Sequence, residues 1–310
     1  MNRFLPWLFS AMAAFAAETG KPKAELRTYS IAPDFANLSY GPHERNVMDV
    51  WKAKSDRPTP LVIHIHGGGF TMGDKTSVGM PLVRYCLDHG ISVATINYRY
   101  ATQAPYPAPM EDGARAVQFL RTKAKEWNFD SKAFAATGGS AGAGISMWIG
   151  FKDDMAEPGS ADPVKRQSTR LSAIGSVDGQ STYDPRLVAK LIDEKTGNIG
   201  ALKTLYGLKA GDQPDARVLR QYDEASPYTH LSTDDPPVFM YYSRPNRPLP
   251  PADSGEGIHH PRLGFFLKER MDKLGLECEV HVVDDYKDKP QGQQVRDMVN
   301  FFRAHFPKAP

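Results

Sequence analysis

Gly138-Gly139-Ser140-Ala141-Gly142 constrains this chain more than any other stretch of it. The five residues stand between an apolar run, Ala133 to Thr137, and a segment of helical character, so they read as a tight strand-to-helix turn. A serine at the tip of such a turn adopts strained backbone angles, and flanking glycines let strand and helix pass without Cβ clashes. The hydroxyl then projects from the carboxyl edge of a sheet, and the N–H of Ala141 points toward the same space. A Walker-type phosphate loop does not fit, because Ile145 rather than Lys follows Gly144. The G-x-G-x-x-G spacing of a dinucleotide fingerprint is also absent, which leaves a plain turn as the alternative.

Around this turn, strand and helix patterns alternate. Leu61–Ile65 and Ile91–Tyr98 are short apolar runs of the kind found in buried parallel strands. Further strands are predicted near 133–137, 171–177, 237–242 and 278–283. Helices are predicted near 78–89, 110–127, 262–274 and 292–305. The alternation predicts an α/β fold: a mostly parallel central sheet with helices on both faces. Residues 26–32 and 46–52 are expected to pair antiparallel at its edge, and the less regular stretch 179–235 to form a partly helical cap.

His66-Gly67-Gly68-Gly69-Phe70 follows the Leu61–Ile65 strand directly. Three glycines there free backbone N–H groups to point into a cavity, where a pair of donors stabilises an oxyanion. Losing one such donor typically costs about 3 kcal/mol of transition-state binding. A structural turn would also favour glycine, but three in a row exceed what a turn needs. His64 and His66 sit two apart on a strand and mimic a metal pair, yet the sequence places no third ligand. No metal and no cofactor are expected.

These segments, with Asn97-Tyr98-Arg99-Tyr100-Ala101, Tyr106-Pro107-Ala108-Pro109 and Glu111-Asp112, resemble the α/β-hydrolase superfamily. Within it the likeness is to hormone-sensitive-lipase-like and feruloyl-esterase-like carboxylesterases, over roughly residues 40–305. The resemblance implies an α/β-hydrolase fold with Ser140 as nucleophile. It implies oxyanion donors at Gly68, Gly69 and Ala141, and a His66 that braces the loop rather than acting as base.

Two triad positions depart from that pattern. The strand at 237–242 runs into a loop where Asn246 stands in place of the expected acid. After the strand at 278–283 comes Asp284-Asp285-Tyr286-Lys287-Asp288-Lys289-Pro290, with no histidine where the base should be. His281 and His305 lie in a strand and a helix instead. A substitute base is available in Gly257-Ile258-His259-His260-Pro261, from His259 or His260, with Asp253 or Glu256 to orient it. The competing expectation is that His-His-Pro merely opens the helix at 262–274. A serine without a base keeps its proton at neutral pH and is a poor nucleophile.

Residues 1–16 pair a weakly positive start with an apolar stretch ending in Ala14-Phe15-Ala16, the form of a secretory signal peptide; a single N-terminal anchor is the alternative, though the run is short for spanning a bilayer. A secreted or periplasmic protein is expected, with residues 17–310 forming a single domain. The balance of 38 Lys and Arg against 36 Asp and Glu, mixed along the chain, gives no sign of the clustered basic face that a nucleic-acid surface needs, and no nucleic-acid partner is expected. After signal cleavage no segment suits a membrane helix. Cys86 and Cys278 are expected as two buried free thiols. Three readings follow: a secreted esterase for small acyl or carbohydrate-linked esters, a degenerate hydrolase that binds such a small molecule without turnover, and a scaffold without a pocket. Tyr100, Tyr106, Trp148, Tyr183 and Tyr241 are candidates for the pocket wall, with a core role as the alternative. Oligomeric state and substrate are not legible.

Overall fold

Strand β3 (Thr59–Ile65) buries Leu61, Val62, Ile63 and Ile65 completely, on both of its faces. Only a central parallel strand covered by helices above and below accommodates such a run. In the computed structural model, which describes residues 29–307, β3 is the central strand from which the chain order runs outward in both directions. The expected signal peptide at 1–16 lies outside the described residues.

In chain order the elements begin β1 (Phe35–Ser39), β2 (Val47–Trp51), β3, α1 (Met80–Asp88), β4 (Ser92–Ile96), α2 (Ala108–Trp127), β5 (Phe129–Gly139) and α3 (Ala141–Phe151). After β6 (Ala173–Val177) come four short helices, α4 (Pro185–Leu191), α5 (Glu194–Gly197), α6 (Gly200–Leu205) and α7 (Ala216–Ala225). The chain closes with β7 (Val238–Tyr242), α8 (Ser254–Ile258), α9 (Arg262–Lys273), β8 (Cys278–Val282) and α10 (Gln293–His305).

The eight described strands form one sheet in the order β1-β2-β4-β3-β5-β6-β7-β8. From β4 to β8 all neighbours are parallel; β2 pairs antiparallel with β4 and with β1. The strand order reverses between β3 and β5, and the crevice outside their carboxyl ends is where such sheets bind ligands. One apolar layer joins α1 and α10 to one face, with Cys86 in it; a larger layer on the other face takes in α2, α3, α7 and α9, with Cys278. Both thiols are free and buried, on opposite sides of the sheet, and burial pushes each up to about 12.

The edge differs from expectation. The outer strand is Phe35–Ser39, not 26–32. Of the expected strand, the part that is described approaches β2 through side chains rather than a backbone ladder. The Tyr29 hydroxyl donates to Asp49, and the Trp51 indole donates to the Ile31 carbonyl. The Tyr29–Trp51 aromatic pair mimics a strand in sequence while leaving the main-chain groups to β1.

Candidate active site

Ser140 has φ 49° and ψ −119°, a region costly for any residue with a Cβ, and it connects β5 directly to α3. The surroundings hold it there. Its N–H donates to Val177 O at the end of β6 (2.8 Å), and its carbonyl accepts from Gly144 N in α3 (3.1 Å). A Cβ at Gly138 or Gly142 would drive into the Ile65 carbonyl at the end of β3, which is why glycine stands at both. Ala141 is the first residue of α3, so its N–H has no acceptor within the helix.

The 66–73 loop faces this turn from β3. Gly68 and Gly69 have φ of 110° and 57°, and a Cβ on Gly68 would collide with the Met72 carbonyl. Among the described residues, the N–H groups of Gly68, Gly69 and Ala141 have no protein acceptor. His66 is buried beneath the loop. Its Nδ1–H donates to Gly67 O (2.7 Å), its Nε2 faces Arg45 Nη2 (3.2 Å), and its ring stacks on Tyr98 at 4.3 Å. Burial lowers its pKa to about 4, so it stays neutral and holds the loop's shape. Arg45 also donates to Tyr98 O and Gly73 O and lies over the Tyr100 ring. His64 is committed elsewhere, bonded to Thr95 Oγ1 (3.0 Å), and burial depresses its pKa to about 3. The described residues include no group of three or more His, Cys, Asp or Glu side chains placed to share a metal.

His259, one residue past α8, brings its Nε2 to 2.9 Å from Ser140 Oγ. Its Nδ1 lies 2.8 Å from the Gly255 carbonyl one helical turn back. A carbonyl only accepts, so Nδ1 carries the proton and Nε2 presents its lone pair to the serine hydroxyl. The adjacent His260 is buried and turned away. It donates from Nε2 to Arg247 O (2.9 Å) and accepts the Arg262 N–H at Nδ1 (3.0 Å). The two expectations for this segment are therefore divided between two residues: His260 helps open α9, whereas His259 meets Ser140.

Neither candidate orienting acid touches His259. Asp253 caps α8 by accepting from Glu256 N, and Glu256 accepts from Ala252 N. Asn246 is exposed in the loop after β7. The carboxylate at the end of β6, Asp178, accepts from the N–H and hydroxyl of Ser243 and so ties down that loop. His281 pairs with Glu279 and His305 with Glu277, away from Ser140.

Ser140 and His259 open on a cavity of about 290 Å³. Its wall is mainly apolar, from Phe70, Tyr183, Ile199, Leu202 and Ile258, with Gln180 as a neutral polar member. Of the five aromatic candidates only Tyr183 lines it. Tyr106 and Trp148 are buried elsewhere, Tyr100 bonds Gly73 O, and Tyr241 packs on Tyr286. Ile199, Ala201 and Leu202 come from the cap, where nothing in the sequence distinguished them from ordinary core positions. The expected cap in 179–235 is helical in four short pieces, and α6 lies over the glycine loop, with Ala201 facing Gly69.

A strained serine at a strand-to-helix turn, on a mostly parallel eight-stranded sheet with a short helical cap, defines an α/β hydrolase. Solved structures agree on the fold. An acetyl ester-xyloside bifunctional hydrolase from Caldicellulosiruptor lactoaceticus superposes with a TM-score of 0.65 at 21% identity, covering 83% of this chain and 87% of that one. A carbohydrate esterase from gut microbiota gives 0.65 at 18% identity, covering 87% and 95%. The chain belongs to the BD-FAE family, whose model matches residues 48–256. That match takes in Ser140 and the glycine loop and stops just before His259. A probable carboxylic ester hydrolase of Mycobacterium tuberculosis, LipM, is 30% identical over 295 residues, 92% of this chain and 62% of its own length. The esterase LipQ of the same organism is 23% identical over 72% of this chain and 51% of its own. The chain thus spans less than two thirds of either relative.

Proposed function

We propose that this protein hydrolyses carboxylic esters, with Ser140 as nucleophile and His259 as general base. One observation carries the reading: Ser140 Oγ lies 2.9 Å from a histidine nitrogen whose opposite nitrogen is held as a donor by Gly255 O. As Oγ attacks the ester carbonyl, its proton passes to His259 Nε2. The developing oxyanion sits against the N–H groups of Gly68, Gly69 and Ala141, none of which has a protein acceptor among the described residues. Collapse expels the alcohol, which takes the proton back from Nε2. Water then repeats the sequence on the acyl-enzyme and regenerates Ser140. The glycine-loop geometry and the esterase relatives support the same assignment.

The substrates we propose are small acyl or carbohydrate-linked esters, in keeping with a cavity of about 290 Å³. We also propose export directed by residues 1–16, for which N-terminal sequencing of the mature protein is the test. A second reading, a ligand-binding protein without turnover, draws on the lack of any carboxylate bonded to His259 among the described residues. Fluorophosphonate labelling separates the two. Wild-type protein should label at Ser140 and Ser140→Ala should not. A folded wild type that stays unlabelled overturns the hydrolase reading in favour of the binder.

A further inference from the structure

Gln180 stands just beyond β6 and forms part of the cavity wall beside Ser140 and His259. It is only 2% exposed, so whatever surface its amide presents is presented to the cavity. The orientation of that amide is fixed by chemistry. Nε2 lies 2.9 Å from the Asp178 carbonyl and 2.9 Å from the Ile258 carbonyl. Reversing the amide would set its oxygen against two other oxygens, so the nitrogen must face them and both of its protons are used.

Oε1 is left over. It has no protein donor among the described residues, and unlike the unpartnered hydroxyls of Ser176, Tyr183 and Thr196 it keeps some exposed surface. In the empty cavity this oxygen can accept only from water, and a ligand that fills the apolar space displaces that water and must bring an N–H or O–H of its own or leave the oxygen unpaired at a cost in free energy. The apolar neighbours Phe70, Ile199, Leu202 and Ile258 offer nothing to neutralise a cation. A neutral donor fits best, and on an ester of this size that is a hydroxyl.

We propose that Gln180 is a specificity-determining residue: its Oε1 accepts a hydrogen bond from a hydroxyl on the substrate, so the cavity selects hydroxylated short esters over their unsubstituted analogues. The inference rests on the ester reading above for the nature of the ligand but not for turnover. The same side chain also restrains the Ile258 carbonyl, next to His259, and any Gln180 variant will perturb the base as well. Rates alone therefore do not isolate the recognition role, whereas a preference between matched ligands does, because displacement of His259 affects them equally.

The test measures binding to Ser140→Ala, which cannot turn over, by calorimetry with ethyl butyrate, ethyl 3-hydroxybutyrate and 2-hydroxyethyl butyrate. One hydroxylated ester should bind roughly tenfold more tightly than ethyl butyrate. Adding Gln180→Met should erase that preference. Gln180→Asn, which withdraws the oxygen by one methylene, should erase it too and serves if the Met variant does not fold. Equal binding of all three esters overturns the proposal, as does a preference that survives both substitutions. Absent labelling of wild-type Ser140 would overturn the hydrolase reading alone and leave this binding comparison decisive.

Discussion

The two halves of the site are held by different means. On the acceptor side, the 66–73 loop grows directly from a central strand and is braced by a buried His66 stacked on Tyr98 and by Arg45, which bonds His66 at the start of the loop and Gly73 O at its end. On the side of the proposed base, His259 ends a five-residue helix outside the sheet. That helix is fastened by a cap at Asp253, by Gln180 on the Ile258 carbonyl, and by the close approach of Gly257 to Thr196 in α5. The acceptor side borrows the stiffness of the sheet. The base side borrows its position from the cap. The difference locates where this architecture is vulnerable.

The largest expected effect is on His259. His259→Ala should lower kcat for a small activated ester by roughly 10²–10⁴-fold with an unchanged melting temperature. The neighbouring His260→Ala should do the opposite, costing about 1–3 kcal/mol of stability because two backbone groups lose their partner. If both variants lost activity alike, the division between the two histidines would be wrong.

Next comes the contact with the cap. A Cβ at position 257 has no room beside Thr196 Oγ1 and Ile192, so Gly257→Ala must push α8 away from α5. Turnover should fall roughly 10–100-fold, since a displacement of about 1 Å at a reacting group is costly on that scale. Adding Thr196→Ala removes the obstructing oxygen and should restore part of the rate. No rescue would mean that α8 does not take its position from α5.

The smallest effect is on stability against pH, and it reports on the acceptor side. His64 and His66 are held neutral, with folded pKa values of about 3 and 4 against an ordinary 6.5. Between those values the unfolded chain binds more protons, so the stabilisation from keeping them neutral is complete above about 6.5 and shrinks as pH falls toward 4. Asp235, buried so that its pKa is raised to about 6, acts in the opposite sense between 3.8 and 6. With His64, His66 and also His230, whose pKa burial lowers too, set against one carboxyl, the denaturant midpoint should drop on going from pH 7 to 4.5. His64→Gln should flatten the slope; a variant with the wild-type slope would remove His64 from the account.

The contrast also explains what the sequence disclosed. Gly138, Gly142 and Gly68 are dictated by backbone approaches that no Cβ survives, so they recur at fixed spacing and are visible in one dimension. The strands around them were visible for a related reason: a strand buried on both faces, such as Leu61–Ile65, leaves an unbroken apolar run. His259 has no such signature. It reaches Ser140 across 119 positions, and whether it or His260 turns inward depends on where α8 ends. Gln180 was equally silent, because one glutamine after a strand looks like any loop residue until Ile258 is placed beside it. The outer strand was misplaced to 26–32 because Tyr29 and Ile31 reach β2 through side-chain bonds, which have no period to read.

The meeting of α5 with α8 has a consequence for leaving and entering molecules. Ile199, Ala201 and Leu202, which bound the cavity, follow α5 within a few residues, and α5 is what α8 leans on. Under the proposed activity, an ester too bulky for the space would press outward on that wall and so draw away the support beneath His259. Poorly fitting molecules would be penalised twice, once in occupancy and again in commitment to reaction, and size selectivity would be steeper in kcat/KM than in binding.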